Sequence, residues 1–286
     1  MSASDESFGH RIAQARLARA DDLGVFPPAA ARILRVVDDP RTNLVDLEKA
    51  VSMDPVLTAQ VLKVANSAYF GLARTVGSLR QALFVLGFRT VRNMSLSLAA
   101  LTMGAAESPW SRRVWRRSIR CCRAMRVLGE HVEWDDFADP FAVGLLHRIG
   151  TLLLLALEEK PYVELLEQHP WASQALLEAE VHRFAFDHVA LGAACLERWN
   201  LPEDVCLAVR FQDHPEALSG HPEAQDLTWM LWLAVQLELR TARAEDLPTI
   251  AASLAASHAA QAVGLSEPVL LKAALAVNQE DGDIFG

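Results

Sequence analysis

Apolar residues recur at helical spacing along almost the whole chain, and capping or turn residues punctuate them. Pro27-Pro28 opens a segment carrying Ile33, Leu34, Val36 and Val37 that closes at Asp38-Asp39-Pro40. Asn43, with Asp46 three residues on, caps a run through Leu44, Leu47 and Val51. Asp54-Pro55 pairs a capping carboxylate with proline at the first helical position. That helix carries Val56, Leu57, Val61, Leu62 and Val64 and ends near Asn66-Ser67. Ser78 caps another, stopped by Gly87. The same spacing predicts helices over 89–104, 109–131, 139–158, 173–184, 187–199, 202–213, 223–240, 247–263 and 266–279. Strand-type alternation and solenoid-length repeats are both missing from the sequence. The fold class is all-α, with two packed helical subdomains.

The boundaries follow from the breaks. Residues 103–110, MGAAESPW, form a small-residue gap between two long helices, and 213–222, with two prolines, precedes the last helical group. The expected organisation is an N-terminal segment 1–19, a helical subdomain 20–105, a second 106–222, and a C-terminal helical extension 223–286. Leu231, Trp232, Leu233, Val235 and Leu237 make one late helix apolar nearly all round. It therefore belongs in the core or in an interface, and a homodimer is one way to cover it.

Composition narrows the function. With 286 residues and 51% hydrophobic content, the chain can bury a core without disulfides or metals. A formal charge of −9 argues against general adhesion to nucleic acid or anionic membrane. The N-terminus MSASDESFGH lacks the pattern of a secretory signal. The longest apolar run, Leu152–Leu157, is far short of the ~20 residues that span a bilayer. A soluble, cytoplasmic protein without membrane partners is expected. Cys121, Cys122, Cys195 and Cys206 lack C-x-x-C spacing and read as buried thiols.

Candidate chemistry is sparse. No His pair has the i, i+4 spacing of a helical metal site, and no nucleophile elbow or phosphate-cradling glycine loop occurs. One segment is organised: Arg112, Arg113, Arg116, Arg117, Arg120, Arg123 and Arg126 cover about half of a helix. Val114, Cys121, Met125 and Leu128 cover the rest. Such a face could dock an acidic partner, a nucleotide phosphate or an RNA backbone. Equally, it could be a solvated face neutralised by Glu130, Glu133, Asp135, Asp136 and Asp139 just downstream.

Three blocks carry a resemblance: FPPAAARILRVVDDP, then VSMDPVLTAQVLKVANSAYFG, then VGSLRQALFVLGFRTVRNMSL, all within residues 26–104. Together with Trp115-x-x-Ser118, GLLHRIG at 144–150 and FDHVALGAACLERWNLP at 186–202, they resemble the HDOD domain. That family is a helical bacterial signalling module related to HD-type metal phosphohydrolases, so the second subdomain should be HD-like. The signature positions are Asp54, Pro55, Asn66, Ser67, Tyr69, Phe70 and Gly71. The turn they form could serve as a partner surface or as ordinary helix termination.

The resemblance implies a metal centre that this sequence has dismantled. Where the enzymatic relatives tend to carry a His, two residues after Trp115, stands Arg117. The His-Asp doublet reads His147-Arg148, and a third ligand position keeps His188. The expected later His pair reads Gln212-Asp213, with His214 adjacent. Only His147 and His188 remain as remnants, too few for zinc, and two guanidiniums stand where a dication would sit. Hence no catalytic residue, metal or cofactor is expected. The guanidiniums could pair internally with Asp187, Asp213 or Glu180, or bind an anion such as a phosphate-bearing nucleotide. Arg112, Arg116, Arg117, Arg120, Arg123 and Arg148 are the candidate anion or partner surface.

The function this implies is a catalytically inactive signal-transduction module that binds proteins, or a nucleotide, in trans. Its partners would be receiver, diguanylate-cyclase or phosphodiesterase proteins, in stress, motility or cyclic-di-GMP circuits. Two alternatives stand: a residual metal-dependent phosphohydrolase on nucleotides, and a nucleotide or RNA sensor working through the arginine helix.

Overall fold

The computed structural model describes residues 36, 41–52, 61, 65, 78–87, 91, 108–132, 140–198, 201–218 and 220–279. Every regular element among them is helical. The chain divides into two compact units, one over Leu23–Ala106 and one over Glu107–Gln279.

In the first unit, α1 (Leu44–Ser52) begins as the capping residues dictate. Asn43 Oδ1 accepts from the backbone of Val45 and Asp46, and Asp46 reaches back to the Asn43 N–H. Leu47, Ala50 and Val51 form its buried face. Residues 79–87 are also helical, with Gly87 at φ +75°, a conformation that costs glycine little. The signature positions Asp54, Pro55, Asn66, Ser67, Tyr69, Phe70 and Gly71 lie outside the described residues.

The second unit holds ten α-helices among its described residues. In order they are α2 (Pro109–Gly129), α3 (Pro140–Leu146), α4 (Ile149–Gln168), α5 (Gln174–Phe184), α6 (His188–Arg198), α7 (Glu203–Arg210), α8 (Pro222–Ala242), α9 (Leu247–Ala255), α10 (His258–Ala262) and α11 (Glu267–Asn278). Side-chain caps start several of them: Ser108 for α2, Ser173 for α5, Asp187 for α6, Asp246 for α9 and Ser257 for α10. The centre is α8, packed against α2, α3, α7, α9, α10 and α11. Its Leu227, Met230, Leu231, Leu233, Ala234 and Leu237 are fully buried. The apolar-all-round helix is therefore a core helix of its own unit, and residues 223–279 belong with 107–222.

Three sequence expectations are corrected. The helix expected over 139–158 breaks at His147-Arg148 and then runs on to Gln168. The break has a local cause. His147 Nδ1 donates to the Gly144 carbonyl at 2.7 Å, the acceptor a continuing helix would offer to the Arg148 N–H. Gln212 Nε2 likewise donates to the His147 carbonyl at 3.1 Å. Further on, α4 kinks at Glu158 (φ −142°), where Pro161 supplies no N–H and crowds the preceding turn. The helix expected over 247–263 divides because Ser257 caps α10 and donates its hydroxyl to Leu254 O. The helix expected over 202–213 stops at Arg210, which leaves Gln212 and Asp213 in a turn.

Helices α4 and α6 meet at Gly150 and Gly192, where backbone approaches backbone. A Cβ on Gly150 would overlap the His188 carbonyl oxygen and lie 2.8 Å from Gly192 N. Neither is a flexible side chain that could step aside. Gly150→Ala should therefore cost about 3 kcal/mol, the upper end for overpacking, read as a lowered urea midpoint. Gly192→Ala, whose nearest contact is 3.1 Å, should cost less.

Candidate functional site

The site is built where α2, the α3–α4 turn, α6 and α8 come together. Arg117 projects from α2, and its Nη2 donates to Glu238 Oε2 of α8 at 2.6 Å. The two side chains are 13% and 3% exposed. Burial lowers the Arg117 pKa most, the Glu238 charge opposes it, and Arg148 and Arg113 add to the lowering; it settles at about 10. At neutral pH the group remains a cation paired with a carboxylate.

Arg148, at the N-terminus of α4, is 3% exposed. Its guanidinium carbon lies 5.5 Å from the Trp171 ring centroid, and that of Arg117 lies 4.5 Å from the same ring. The Trp171 indole stacks at 6.2 Å on Trp110, which in turn lies 5.3 Å from Arg113. The Arg148 Nε has no hydrogen-bond partner, and no ion pair joins its guanidinium to a carboxylate among the described residues.

The two histidines are held from behind. His147, buried and hydrogen-bonded to Gly144 O, is pushed well below the ordinary histidine value by desolvation and by Arg148. It is a neutral imidazole with its proton on Nδ1. His188 Nδ1 donates to Glu180 Oε2 at 2.7 Å, and the His188 backbone N–H donates to the same oxygen at 2.8 Å. The Tyr162 hydroxyl donates to Glu180 Oε1 at 2.7 Å. Burial alone would lower the His188 pKa, but the Glu180 charge and hydrogen bond outweigh it, so the value is raised. The Tyr162 phenol is held protonated, by burial first and then by Glu180.

The internal pairing foreseen for the guanidiniums thus exists for Arg117, but with a different acid. Glu238 takes Arg117; Glu180 serves His188 and Tyr162; Asp187 caps α6 through Ala190 N at 2.7 Å. Asp213 forms no ion pair among the described residues, though its charge reaches His188. Glu238 was recognisable as the one acid within the apolar run Leu237-Glu238-Leu239, and Trp171 and Tyr162 carried no such mark.

The arginine surface is also divided. Arg112 and Arg116 are exposed, and Arg120 is half-buried. Arg117 and Arg148 point inward, while Arg123 is buried and donates to Gln279 O at 2.9 Å. Among the proposed neutralising acids, Glu130 pairs with Arg126 and Lys272; Glu133, Asp135, Asp136 and Asp139 lie outside the described residues. Cys121 and Cys122 are buried, and desolvation raises the Cys121 pKa, so the thiol is unreactive.

A divalent metal does not fit these residues. Among those described, no three His, Cys, Asp or Glu side chains converge as a metal centre requires. The positive charges of Arg117 and Arg148 reach His147, that of Arg148 also reaches His188, and Glu238 and Glu180 are already engaged. No described helix is long and apolar enough to cross a membrane.

The family model of the HDOD domain matches residues 23–215. A Treponema pallidum protein of no stated activity is 26% identical over 68% of this chain and 38% of its own length. The cyclic di-GMP phosphodiesterase CdgJ of Vibrio cholerae is 23% identical over 64% of this chain and 41% of its own. The chain thus spans about two fifths of these curated relatives. Among solved structures, an HDOD domain protein of unknown function from Geobacter sulfurreducens aligns with a TM-score of 0.66 at 22% identity. It covers 92% of this chain and 97% of its own. The MmoQ response regulator from Methylococcus capsulatus aligns with a TM-score of 0.50 at 25% identity, over 86% and 95%.

Two outcomes follow from this geometry. Glu238→Gln should destabilise the protein by about 3 kcal/mol, because Arg117 would be left buried and uncompensated. Replacing both partners, with Arg117→Met and Glu238→Leu, should recover most of that loss in urea unfolding. The histidines give opposite pH slopes. With a raised folded-state pKa, His188 contributes stability that is complete below ~6.5 and is lost as pH rises through the raised value. With a lowered one, His147 makes stability fall as pH drops below ~6.5. Unfolding free energies across this range should lose the alkaline decline in His188→Gln and the acid decline in His147→Gln.

Proposed function

Since this chain belongs to the HDOD family, we propose that it is a cytoplasmic signal-transduction module that acts by binding and does not hydrolyse phosphoesters. The observation that carries the reading is the buried Arg117–Glu238 ion pair, with Arg148 sharing the Trp171 ring, at positions that the family resemblance matches to the metal-binding positions of the enzymatic relatives. Phosphoester hydrolysis at such a centre requires a metal to polarise the phosphoryl oxygen and to activate water. On the matched positions stand a cation on α2 and another at the start of α4, and the Glu238 carboxylate is spent on Arg117. A guanidinium can hold a phosphate, but it cannot lower the pKa of a bound water as a dication does.

Kinship with a response regulator and with a cyclic di-GMP phosphodiesterase supports a role in signalling. On this reading the partners are signalling proteins such as receiver, diguanylate-cyclase or phosphodiesterase proteins. The exposed Arg112 and Arg116 offer α2 contacts for an acidic surface.

The test is elemental analysis of untagged protein together with phosphoester hydrolysis in the presence of Mn2+, Mg2+, Zn2+ or Fe2+. Metal well below stoichiometric, with no turnover above buffer, is expected. Stoichiometric metal lost on changing His147 and His188 to Ala, with metal-dependent turnover, would overturn the proposal and move the phosphohydrolase reading to the front.

A further inference from the structure

We propose that Arg148 is the anchor of a binding site for the phosphoryl group of a small phosphorylated ligand, reached past Trp171. The proposal deepens the reading above, because it assumes that the centre has exchanged its metal for guanidinium groups.

Three observations carry it. First, Arg117 and His188 each meet a carboxylate, whereas the Arg148 guanidinium meets none among the described residues. Arg117 has Glu238, and His188 has Glu180. Arg148 is 3% exposed, its guanidinium has no hydrogen bond or ion pair among the described residues, and its Nε is buried without an acceptor. A buried, unshared guanidinium is costly, and a planar fork of N–H donors is shaped for two oxygens of one oxyanion. Second, its surroundings make the point more positive. Arg117, whose Nε also lacks an acceptor, shares the Trp171 ring with it. The N-terminus of the 20-residue α4 lies here without an acidic residue in its first turn. Asp213 is the remaining acid whose charge reaches the cluster, and it forms no ion pair with Arg148.

Third, a series of aromatic and cation–π contacts links the surface to Arg148. The exposed Arg113 lies over Trp110, Trp110 stacks on Trp171, and both indoles are half-buried. The series runs from the surface to the buried Arg148. That depth favours a small ligand over a protein side chain, and a doubly charged phosphoryl group over a carboxylate. Free phosphate and a nucleoside monophosphate would present the same group; a nucleotide adds a ring for the indoles.

The experiment uses the full chain in thermal unfolding at constant ionic strength. Inorganic phosphate is one titrant, nucleoside 5′-monophosphates are a second, and chloride is the control. At about a hundred times its Kd, the better ligand should raise the melting temperature by roughly 5–10 °C. The Arg148→Met variant should melt no lower than the parent without ligand, because it removes an unpaired buried charge, and should lose the ligand-induced shift. A larger shift with the nucleotides, reduced in Trp171→Phe, would assign the ring to the indoles; equal shifts would assign free phosphate. No shift with either titrant, an equal shift in Arg148→Met, or a marked loss of stability in that variant would overturn the site. Hydrolysis of a nucleotide on adding Mn2+ would instead overturn the non-catalytic reading and leave phosphate binding at Arg148 to be judged on its own shift.

Discussion

The ion pair between Arg117 and Glu238 is the constraint on which the second unit depends. It joins α2 to α8, the two 21-residue helices, across 121 positions of sequence. Removing either ion from water costs several kcal/mol, and the mutual attraction offsets this only when the charges meet at hydrogen-bond distance. At 2.6 Å they do. The register of α8 against α2 is therefore fixed by more than apolar fit. Leu227, Leu231, Ala234 and Leu237 would tolerate small sliding, whereas a displaced Glu238 would strand a buried cation. Glu238 Oε1 and Arg117 Nε still lack partners, so the pair is held by a single hydrogen bond.

A second network explains why two histidines persist in a centre that does not suit a metal. Glu180 receives the His188 imidazole, the His188 backbone and the Tyr162 hydroxyl. Those groups come from α6 and α4, and Glu180 from α5, so one fully buried carboxylate ties three helices together. His147 does comparable work with Gly144 O, fixing the turn that separates α3 from α4. In a metal site, bonds of this kind orient each imidazole through one nitrogen so that the other can ligate. Here the orienting half survives because the packing uses it.

Helix starts were easy to read in the sequence because a cap is local chemistry. Ser78 and the Asn43–Asp46 box each announce a helix from within four residues, and each makes the expected bond. The breaks at His147-Arg148 and at Ser257 were missed for a related reason. Both depend on a side chain competing for a backbone carbonyl, a choice that hydrophobic periodicity does not encode. The arginine helix showed its amphipathic split correctly, with Val114, Cys121, Met125 and Leu128 inside. Yet 100° per residue cannot say which arginine meets an acid 121 residues away. Arg123, at the edge of the apolar stripe, was drawn in by the Gln279 carbonyl. Position-by-position comparison with the family located Arg117, His147, Arg148 and His188, but Glu238 lies beyond residue 215, where the family match ends.

The contrast between the two inward arginines is the last consequence of this arrangement. Exchanging a dication for one guanidinium can be balanced by one carboxylate, and Arg117 with Glu238 shows such a balance within a packed core. The second guanidinium, Arg148, meets no second carboxylate among the described residues, and cation–π contact with Trp171 offsets only part of its desolvation. The remainder must be offset by the rest of the fold, by the apolar packing of α8 above all. A folded protein that carries such a residue holds free energy that an anion can recover, since any ligand that neutralises Arg148 stabilises the native state by mass action. The position lies at the N-terminus of α4, where a side-chain bond already interrupts the helix, so neutralising it acts on a junction between helices and not on a helix interior. On the function proposed above, that is a chemically sensible place for an input.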